Sequence, residues 1–466
     1  MTEGVRGAAG AAAIVLAAGA GTRMKSKRPK VAHEVLGRPL VRWVVEAARE
    51  AGVERVVAVV GHQREQVEPL VADVEVVVQH ERKGTADAVA AAAEALAGFE
   101  GSVAVLSGDC PLITAGTIEA LVAAREEGGC ACVVLTMEMA DPFGYGRIIR
   151  GADGGVERIV EQKDATPEEA AVAECNSGFY CFDAKALFEG LAQVGNDNAQ
   201  GEFYLTDVLE ICRRAGGKVA ALRAADPAEC LGVNSRAQLA EAQALMRDRI
   251  NGRHLAAGVT LYDPATTWIG PDVKLAADVA VLPNTMLMGA TSVGEDSVVG
   301  PNSRLTDTRV GAGCTVDETV AVQAVLEDGA TAGPRAYLRP GAHLMAGAKA
   351  GTHVEIKKST IGPGSKVPHL SYIGDATIGR GVNIGAGSIT CNYDGHAKHA
   401  TVVGDGAFVG SDTMMVAPVS IGEGAVVAAA SCITRDVSAD ALAVARARQT
   451  EIEGWAAKRR KVSAGE

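Results

Sequence analysis

VGDGAFVGSDTMMVAPVSIGEGAVVAAASCI, residues 403–433, carries an aliphatic residue or Met at every sixth position: Val403, Val409, Met415, Ile421, Val427 and Ile433. Gly404, Gly410 and Gly422 follow three of them. A helix repeats near 3.6 residues and a half-buried strand every two, so a strict six predicts short strands separated by turns, coiling around one interior. The same spacing runs through Tyr372, Ile378 and Ile384, and through Val310, Val316 and Val322. Helix signals are absent from about residue 258 to about residue 440, where Gly, Val and Pro rise, and this whole stretch reads as a stacked β-solenoid.

Outward from the solenoid the pattern changes. Up to about Ala225, short aliphatic runs (AAIVLA, ERVVAVVG, VEVVVQ, SVAVLSGD, ACVVLTM) alternate with helix-like stretches such as VRWVVEAAREAG. All-apolar strands of this kind are buried on both faces, which predicts an α/β domain with a mainly parallel sheet. Residues 235–257 read as a linker helix, with Leu239, Ala242, Leu245, Met246 and Ile250 at helical spacing. Residues 441–466 form a polar tail containing Arg446, Arg448 and the cluster Lys458, Arg459, Arg460, Lys461, suited to solvent or to an anionic cofactor.

A net charge of −12 over 466 residues leaves no broad basic surface for a phosphate backbone, which argues against nucleic acid as a partner. The ten cysteines include no C-x-x-C, and Cys130 and Cys132 are the only close pair, so free thiols in a reducing compartment are expected rather than zinc. The opening GAAGAAAIVLAAGAG has the apolarity of a signal peptide. Glu3 precedes it, however, and it runs unbroken into the polar GTRMKSKRPK, as a buried strand entering a functional loop would. No other stretch reaches the ~20 residues that span a bilayer, which leaves no membrane partner and a cytoplasmic default.

Residues 16–30, LAAGAGTRMKSKRPK, follow the first predicted strand. Gly19 and Gly21 allow close backbone approach to an anion, and Arg23 and Lys30 supply charge to a polyphosphate. No Gly-Lys-Ser/Thr follows and the third glycine of a dinucleotide fingerprint is missing, so a plain glycine turn is the alternative. Asp109 ends the strand SVAVLSGD, where open α/β sheets bind ligands, and a hard carboxylate there suits Mg²⁺. A turn or helix cap is the other reading of such an Asp. Gln79 offers a donor and an acceptor to a pyrimidine edge.

The loop resembles the signature L-A-A-G-x-G-T-R-M…P-K of sugar-phosphate nucleotidylyltransferases. The resemblance extends through Gln79 with Gly84-Thr85, Leu106-Ser107-Gly108-Asp109, Gly144-Tyr145-Gly146-Arg147, Glu161-Gln162-Lys163-Asp164, Asn176-Ser177-Gly178 and Gly232-Val233-Asn234. It implies that residues 1–234 are a Rossmann-like nucleotidylyltransferase domain. Leu16, Ala17, Ala18, Gly19, Lys30, Gln79, Gly84 and Thr85 would hold UTP, and Arg23 and Lys30 would neutralise charge. Asp109 and Asn234 would bind Mg²⁺, Glu161 and Asn176 would hold sugar hydroxyls, and Gly146 would leave room for an acyl group.

Polar residues interrupt the solenoid: Arg339, Glu355, Lys357, His369, Tyr372, Asn383, Asn392, Tyr393 and Lys398. A histidine takes a proton near neutrality and a carboxylate can orient it, which is what an amino sugar phosphate needs before it is acylated. With both halves in this order, the chain from about Ala12 to Trp455 resembles the bacterial family of bifunctional N-acetylglucosamine-1-phosphate uridylyltransferases and glucosamine-1-phosphate N-acetyltransferases. That implies a left-handed parallel β-helix over residues 258–440, a homotrimer, and acetyl-CoA as co-substrate. His369 would be the acetyl-transfer base, oriented by Glu355. Arg339, Lys357, Tyr372, Asn383 and Lys398 would bind glucosamine-1-phosphate, and Ala386, Asn392, Tyr393, Ser411, Ala429 and Arg446 would bind acetyl-CoA. The chain departs from the commoner family pattern at Ala20, Asp87, His353, Ala430 and Ala447.

The sequence therefore predicts acetylation of glucosamine-1-phosphate followed by Mg²⁺-dependent uridylyl transfer from UTP to N-acetylglucosamine-1-phosphate, releasing pyrophosphate. The alternatives are a nucleotidylyltransferase with the β-helix as trimerisation scaffold, and a purely structural protein.

Overall fold

The computed structural model describes residues 7–463 and divides into two compact units, Met1–Arg247 and Asp248–Glu466. Glu3 and the last three residues of the tail lie outside the described residues, as does the side chain of Lys461.

The first unit is built on a sheet in the order Val219–Arg223, Cys132–Glu138, Glu174–Asp183, Ser102–Ser107, Ala12–Ala17, Arg55–Val60, Glu75–Val78. Ala12–Ala17 pairs in parallel with both Arg55–Val60 and Ser102–Ser107, in continuous register. The apolar runs form strands because both sheet faces are covered: alternate residues such as Val15, Ala58 and Leu106 enter one core, and Ile14, Val57 and Val105 the other. Glu174–Asp183 departs from the parallel expectation, running antiparallel to both neighbours, with a register shift between Asn176 and Tyr180. Its polar Asn176-Ser177-Gly178 stretch conceals it as a strand in the sequence. The reversal of strand order beside Ala12–Ala17 brings the loop after that strand next to the turn that follows Ser102–Ser107. Ligands bind at such a switch point.

The 21-residue helix Arg236–Ala256 occupies the segment read as a linker helix, with Leu239, Ala242, Met246 and Ile250 buried. Beyond it the second unit consists of three parallel sheets of 11, 10 and 9 very short strands. Successive strands within a sheet lie one coil apart, so each coil contributes one strand to each face: Val299 pairs with Val316, Leu287 with Leu305, and Ile361 with Ile378. Inward aliphatic rows stack along the axis, among them Val281, Val299, Val316, Val367, Ile384, Val409 and Val427 in one sheet. Each fully buried aliphatic side chain adds about 1.5–3 kcal/mol, so the stack holds the coils in register. Buried hydroxyls satisfy the turns; Ser365 Oγ donates to the Gly379 carbonyl at 2.6 Å and accepts from the Val382 amide at 2.8 Å.

Two positions of the six-residue spacing are corrected. Ile373 rather than Tyr372, and Ala321 rather than Val322, point inward, because the step to the next or from the previous inward residue is five there and not six. Tyr372 is thereby turned outward. One coil is longer than the others: Asn383 pairs with Phe408, whereas Lys366 pairs with Asn383 and Phe408 with Val426. The extra residues form an excursion at Asn392–His399.

Many corners place a non-glycine residue in the left-handed region, including His353, Leu370, Asp412 and Ala430. Asp and Asn tolerate it; alanine does so at a cost of about 1–2 kcal/mol. Ala430→Gly is therefore expected to stabilise the β-helix by about 1 kcal/mol, seen as a higher denaturant midpoint of its unfolding transition, with Ala428→Gly as the control that shows no gain.

Candidate active sites

In the first unit, a cleft of about 290 Å³ at the switch point is lined by Leu16, Ala18, Gly19, Lys30, Gln79, Gly84, Thr85, Ser107 and Asp109. The loop that enters it turns at Gly21, whose φ of 60° and close approach to Lys30, 2.5 Å from an added Cβ to the Lys30 Cβ, exclude other residues. A single 3₁₀ turn, Thr22–Met24, follows, buried through Met24 and exposing Arg23. Ala17 ends the buried strand just below the loop.

Lys30 carries the charge at the cleft floor. Its Nζ donates to Asp109 Oδ2 at 2.5 Å and to Asn234 Oδ1 at 2.9 Å. Asn234 arrives there because the Val233 amide donates to the Asp109 carbonyl at 2.9 Å, clamping the Gly232-Val233-Asn234 segment onto the turn after Ser102–Ser107. Two hard oxygens from distant parts of the chain thus converge on one cationic atom. Among the described residues no group of three or more His, Cys, Asp or Glu gathers as a metal cage. A carboxylate and an amide oxygen converging in this way fit a Mg²⁺ whose remaining positions are filled by phosphate and water.

Deeper in the same unit, Gly146, Glu161 and Asn176 come together. A Cβ on Gly146 would stand 3.5 Å from both the Asn176 Cβ and Glu161 Oε1, so the glycine leaves space between them. The Asn176 amide is fixed by the Tyr180 hydroxyl, to which Nδ2 donates at 2.7 Å, and by the Gly178 N–H, which donates to Oδ1 at 3.0 Å. Glu161 is held above its ordinary value of 4.5, chiefly by burial and next by Asp164 and Asp207, with Arg147 opposing. The buried Arg147 bonds the Tyr145 and Ala170 carbonyls and Gln162 Oε1, tying the Gly144–Arg147 loop in place.

Gln79 differs from expectation. Its Nε2 donates to Asp87 Oδ2 at 2.7 Å and to the Gly84 carbonyl at 3.2 Å, so the donors expected to meet a pyrimidine are already engaged and Oε1 remains. Sequence reasoning missed Arg82 and Glu202, which also line the cleft. The signal for Glu202 lay in the polar, glycine-containing NAQGEF, whose Phe203 carbonyl accepts from the Ala86 amide at 2.9 Å.

On the second unit the interrupting residues fall into two groups. His369, Ala386, Ser411 and Ala429 occupy the same corner on four successive coils, each just before the left-handed residue: Leu370, Gly387, Asp412 and Ala430. Backbone bonds link them, Gly387 N to His369 O, Asp412 N to Ala386 O and Ala430 N to Ser411 O. They form a column with exposed His369 at its base. Arg446 is exposed beyond the last strand, Leu442–Ala443.

The other group lies on the adjoining sheet. Arg339 Nη1 donates to Glu355 Oε1 at 2.8 Å, and Glu355 pairs across the coils with Tyr372. The carboxylate expected to orient His369 is thus engaged by Arg339 in this structure. Asn392 Nδ2 donates to Asp375 Oδ2 at 2.5 Å and reaches the Tyr372 hydroxyl at 3.4 Å. The excursion brings Tyr393 and Lys398 side by side through an antiparallel bridge. Asp394 pins its tip, accepting from the His396 and Ala397 amides at 2.8 and 2.7 Å. Lys398 then lies against Lys357, and the ammonium contact is the first cause of a lowered Lys357 pKa. Asp375, whose carboxylate is engaged by Asn392, offsets only part of this crowding, and two adjoining ammonium groups suit an anion. Asn383 stands on the other sheet, in the outward row with Lys366 and Phe408, apart from this group.

Comparison with known proteins agrees with the α/β unit followed by a hexapeptide-repeat β-helix. Residues 13–257 match the family model of the MobA-like NTP transferase domain, and residues 400–435 match the hexapeptide repeat of succinyl-transferase. Among curated proteins, the bifunctional protein GlmU of Streptomyces avermitilis is 53% identical, covering 97% of this chain and 95% of its own length. Those of Brevibacillus brevis (50%, covering 96% and 97%) and Geobacter sulfurreducens (48%, covering 96% and 99%) are similar over the same span.

The raised Glu161 gives a pH-dependent expectation. A carboxyl whose pKa is higher folded than unfolded contributes fully below its ordinary value, and that contribution is lost as pH rises through the folded value. Glu161→Gln should therefore raise the unfolding temperature of the ligand-free protein near pH 7.5, with the gain vanishing as pH falls towards 4.5.

Proposed function

The chain belongs to the bifunctional GlmU family, and from that premise we infer two consecutive transfers. The first is acetylation of glucosamine-1-phosphate by acetyl-CoA on the β-helix; the second is uridylyl transfer from UTP to the product on the α/β unit. One observation carries the two-activity reading over the scaffold alternative: each unit gathers its own lysine-centred polar cluster, Lys30 with Asp109 and Asn234 in one, and Lys357 with Lys398 in the other.

For uridylyl transfer, a sugar-1-phosphate oxygen attacks the α-phosphorus of UTP, the new P–O bond forms, and the bond to the β-phosphate breaks to release pyrophosphate. The nucleophile is already ionised near neutral pH, so the site needs positioning and charge neutralisation rather than a general base. Gly19 and its loop would face the triphosphate, and Arg23 and Lys30 would neutralise it. Glu161 and Asn176 would hold the sugar hydroxyls, with Gly146 admitting the acetyl group. Asp109 and Asn234 would hold Mg²⁺, which when bound supplies further neutralisation of the triphosphate. With Asp109 and Asn234 holding the metal, Lys30 would be free to face phosphate.

For acetyl transfer, His369 removes a proton from the amino group of the sugar. The nitrogen attacks the thioester carbonyl, and the C–S bond breaks as the proton returns to the departing thiolate. Lys357, Lys398 and Arg339 would hold the sugar phosphate, with Tyr372 and Asn383 on the ring. Ala386, Ser411 and Ala429 above His369 would present a ledge to acetyl-CoA, closed by Asn392, Tyr393 and Arg446.

A homotrimer is part of this reading. The outward row Phe408, Val426 and Leu442 is in register on one sheet and exposed by 48, 41 and 67%. Such an apolar row suits burial against another copy. Among the described residues no helix is long and apolar enough to cross a membrane. All ten cysteines are free, as a reducing cytoplasm would keep them.

Two variants test the assignment. Asp109→Ala should lower UDP-sugar formation by about 10³-fold and leave CoA release from acetyl-CoA and glucosamine-1-phosphate unchanged. His369→Ala should lower CoA release by about 10²–10⁴-fold and spare uridylyl transfer to N-acetylglucosamine-1-phosphate. Loss of both activities in either folded variant would show that the sites are not independent.

A further inference from the structure

We propose that Asp87 is the residue that sets which nucleobase Gln79 can read, by holding the Gln79 amide in one orientation. This rests on the uridylyl-transfer reading. A carboxamide carries two N–H donors on one side and an acceptor oxygen on the other, and nothing in its shape decides which side faces a ligand. At Gln79 the surroundings decide. Both protein groups that meet the amide nitrogen, Asp87 Oδ2 at 2.7 Å and the Gly84 carbonyl at 3.2 Å, are acceptors. Turning the amide over would set its oxygen against a carboxylate and a carbonyl and leave two half-buried acceptors without their donor.

The two acceptors are themselves fixed. Asp87 lies in the first turn of the helix Thr85–Ala90, and Gly84 precedes that helix with φ 125°. A Cβ on Gly84 would come within 2.3 Å of the Phe203 carbonyl. The Ala86 amide donates to that carbonyl at 2.9 Å, and the Phe203 amide donates to the Lys83 carbonyl at 2.7 Å, so the segment is pinned on both sides of Gly84. Gln79 is itself buried in the cleft wall.

What Gln79 can then offer a base is Oε1, an acceptor only. A uracil ring meets it with N3–H. Cytosine carries a bare N3 at the same edge, which would face acceptor with acceptor. A site built this way rejects the mismatched base strongly because the buried groups are left unpaired. Asp87 is also where this chain departs from the residue common in the family it resembles, and no role for it was read from the sequence.

The full-length protein, with N-acetylglucosamine-1-phosphate as acceptor, tests this through kcat/KM for UTP and for CTP in wild type, D87L, D87A and D87N. Removing the carboxylate in D87L and D87A leaves only the longer bond to the Gly84 carbonyl, at 3.2 Å, to hold the amide against turning. Each should lose about tenfold or more of the UTP-over-CTP preference, through KM rather than kcat, with KM for the sugar phosphate unchanged. D87N, whose Oδ1 still accepts from Gln79, should keep the preference within about threefold. A wild-type UTP-over-CTP preference retained in folded D87L or D87A would overturn the proposal and leave uridylyl transfer standing. Wild type that forms no UDP-sugar from UTP would overturn both.

Discussion

Register within a parallel β-helix leaves a side chain little freedom. Each coil must return its strand to the position above the last, because the inward aliphatic rows and the corner hydroxyls meet only at that offset. Outward side chains are consequently delivered in straight rows and columns. His369, Ala386, Ser411 and Ala429 share a corner because four coils repeat the same turn. Rows alone give a ledge but not a pocket. The one long coil supplies the missing wall, and its pinned tip brings Lys398 onto Lys357. The polar cluster proposed for acetyl transfer is therefore a local violation of the repeat resting on strict obedience elsewhere.

The α/β unit solves the corresponding problem by topology. Adjacent parallel strands whose connections leave in opposite directions open a crevice at their carboxyl ends. The loop with Lys30 and the turn with Asp109 flank that crevice, and Asn234 is brought in by a backbone bond to the same turn. Lys30 compensates the two oxygens that converge there. The same economy appears at Glu161, whose burial raises its pKa and makes it costly when the site is empty. Sites arranged for charged ligands carry such costs in their resting state.

Much of this was legible in the sequence because it is periodic or glycine-marked. The sixfold spacing named the solenoid, and LAAGAGTRM and SGD named the loops that flank the crevice. What stayed hidden depended on contacts between distant residues or on irregularity. A fixed period of six places Tyr372 and Val322 inward, and it does not anticipate the two corners that are one residue short. Polar Asn176 and Ser177 interrupt the apolar run of Glu174–Asp183 and hide this antiparallel strand in the sequence. The Gln79–Asp87 bond and the Arg339–Glu355 pair change what Gln79 and Glu355 can offer, and neither can be read from residue types alone.

One chain carrying two separable catalytic sites is the reading on which the rest depends. Mixing purified Asp109→Ala and His369→Ala proteins with glucosamine-1-phosphate, acetyl-CoA, UTP and Mg²⁺ tests it in one vessel. Each variant alone should form UDP-N-acetylglucosamine about 10²-fold or more below the wild-type rate, and the mixture should form it at a rate approaching wild type. A mixture as inactive as its components, with both proteins folded, would contradict two independent sites.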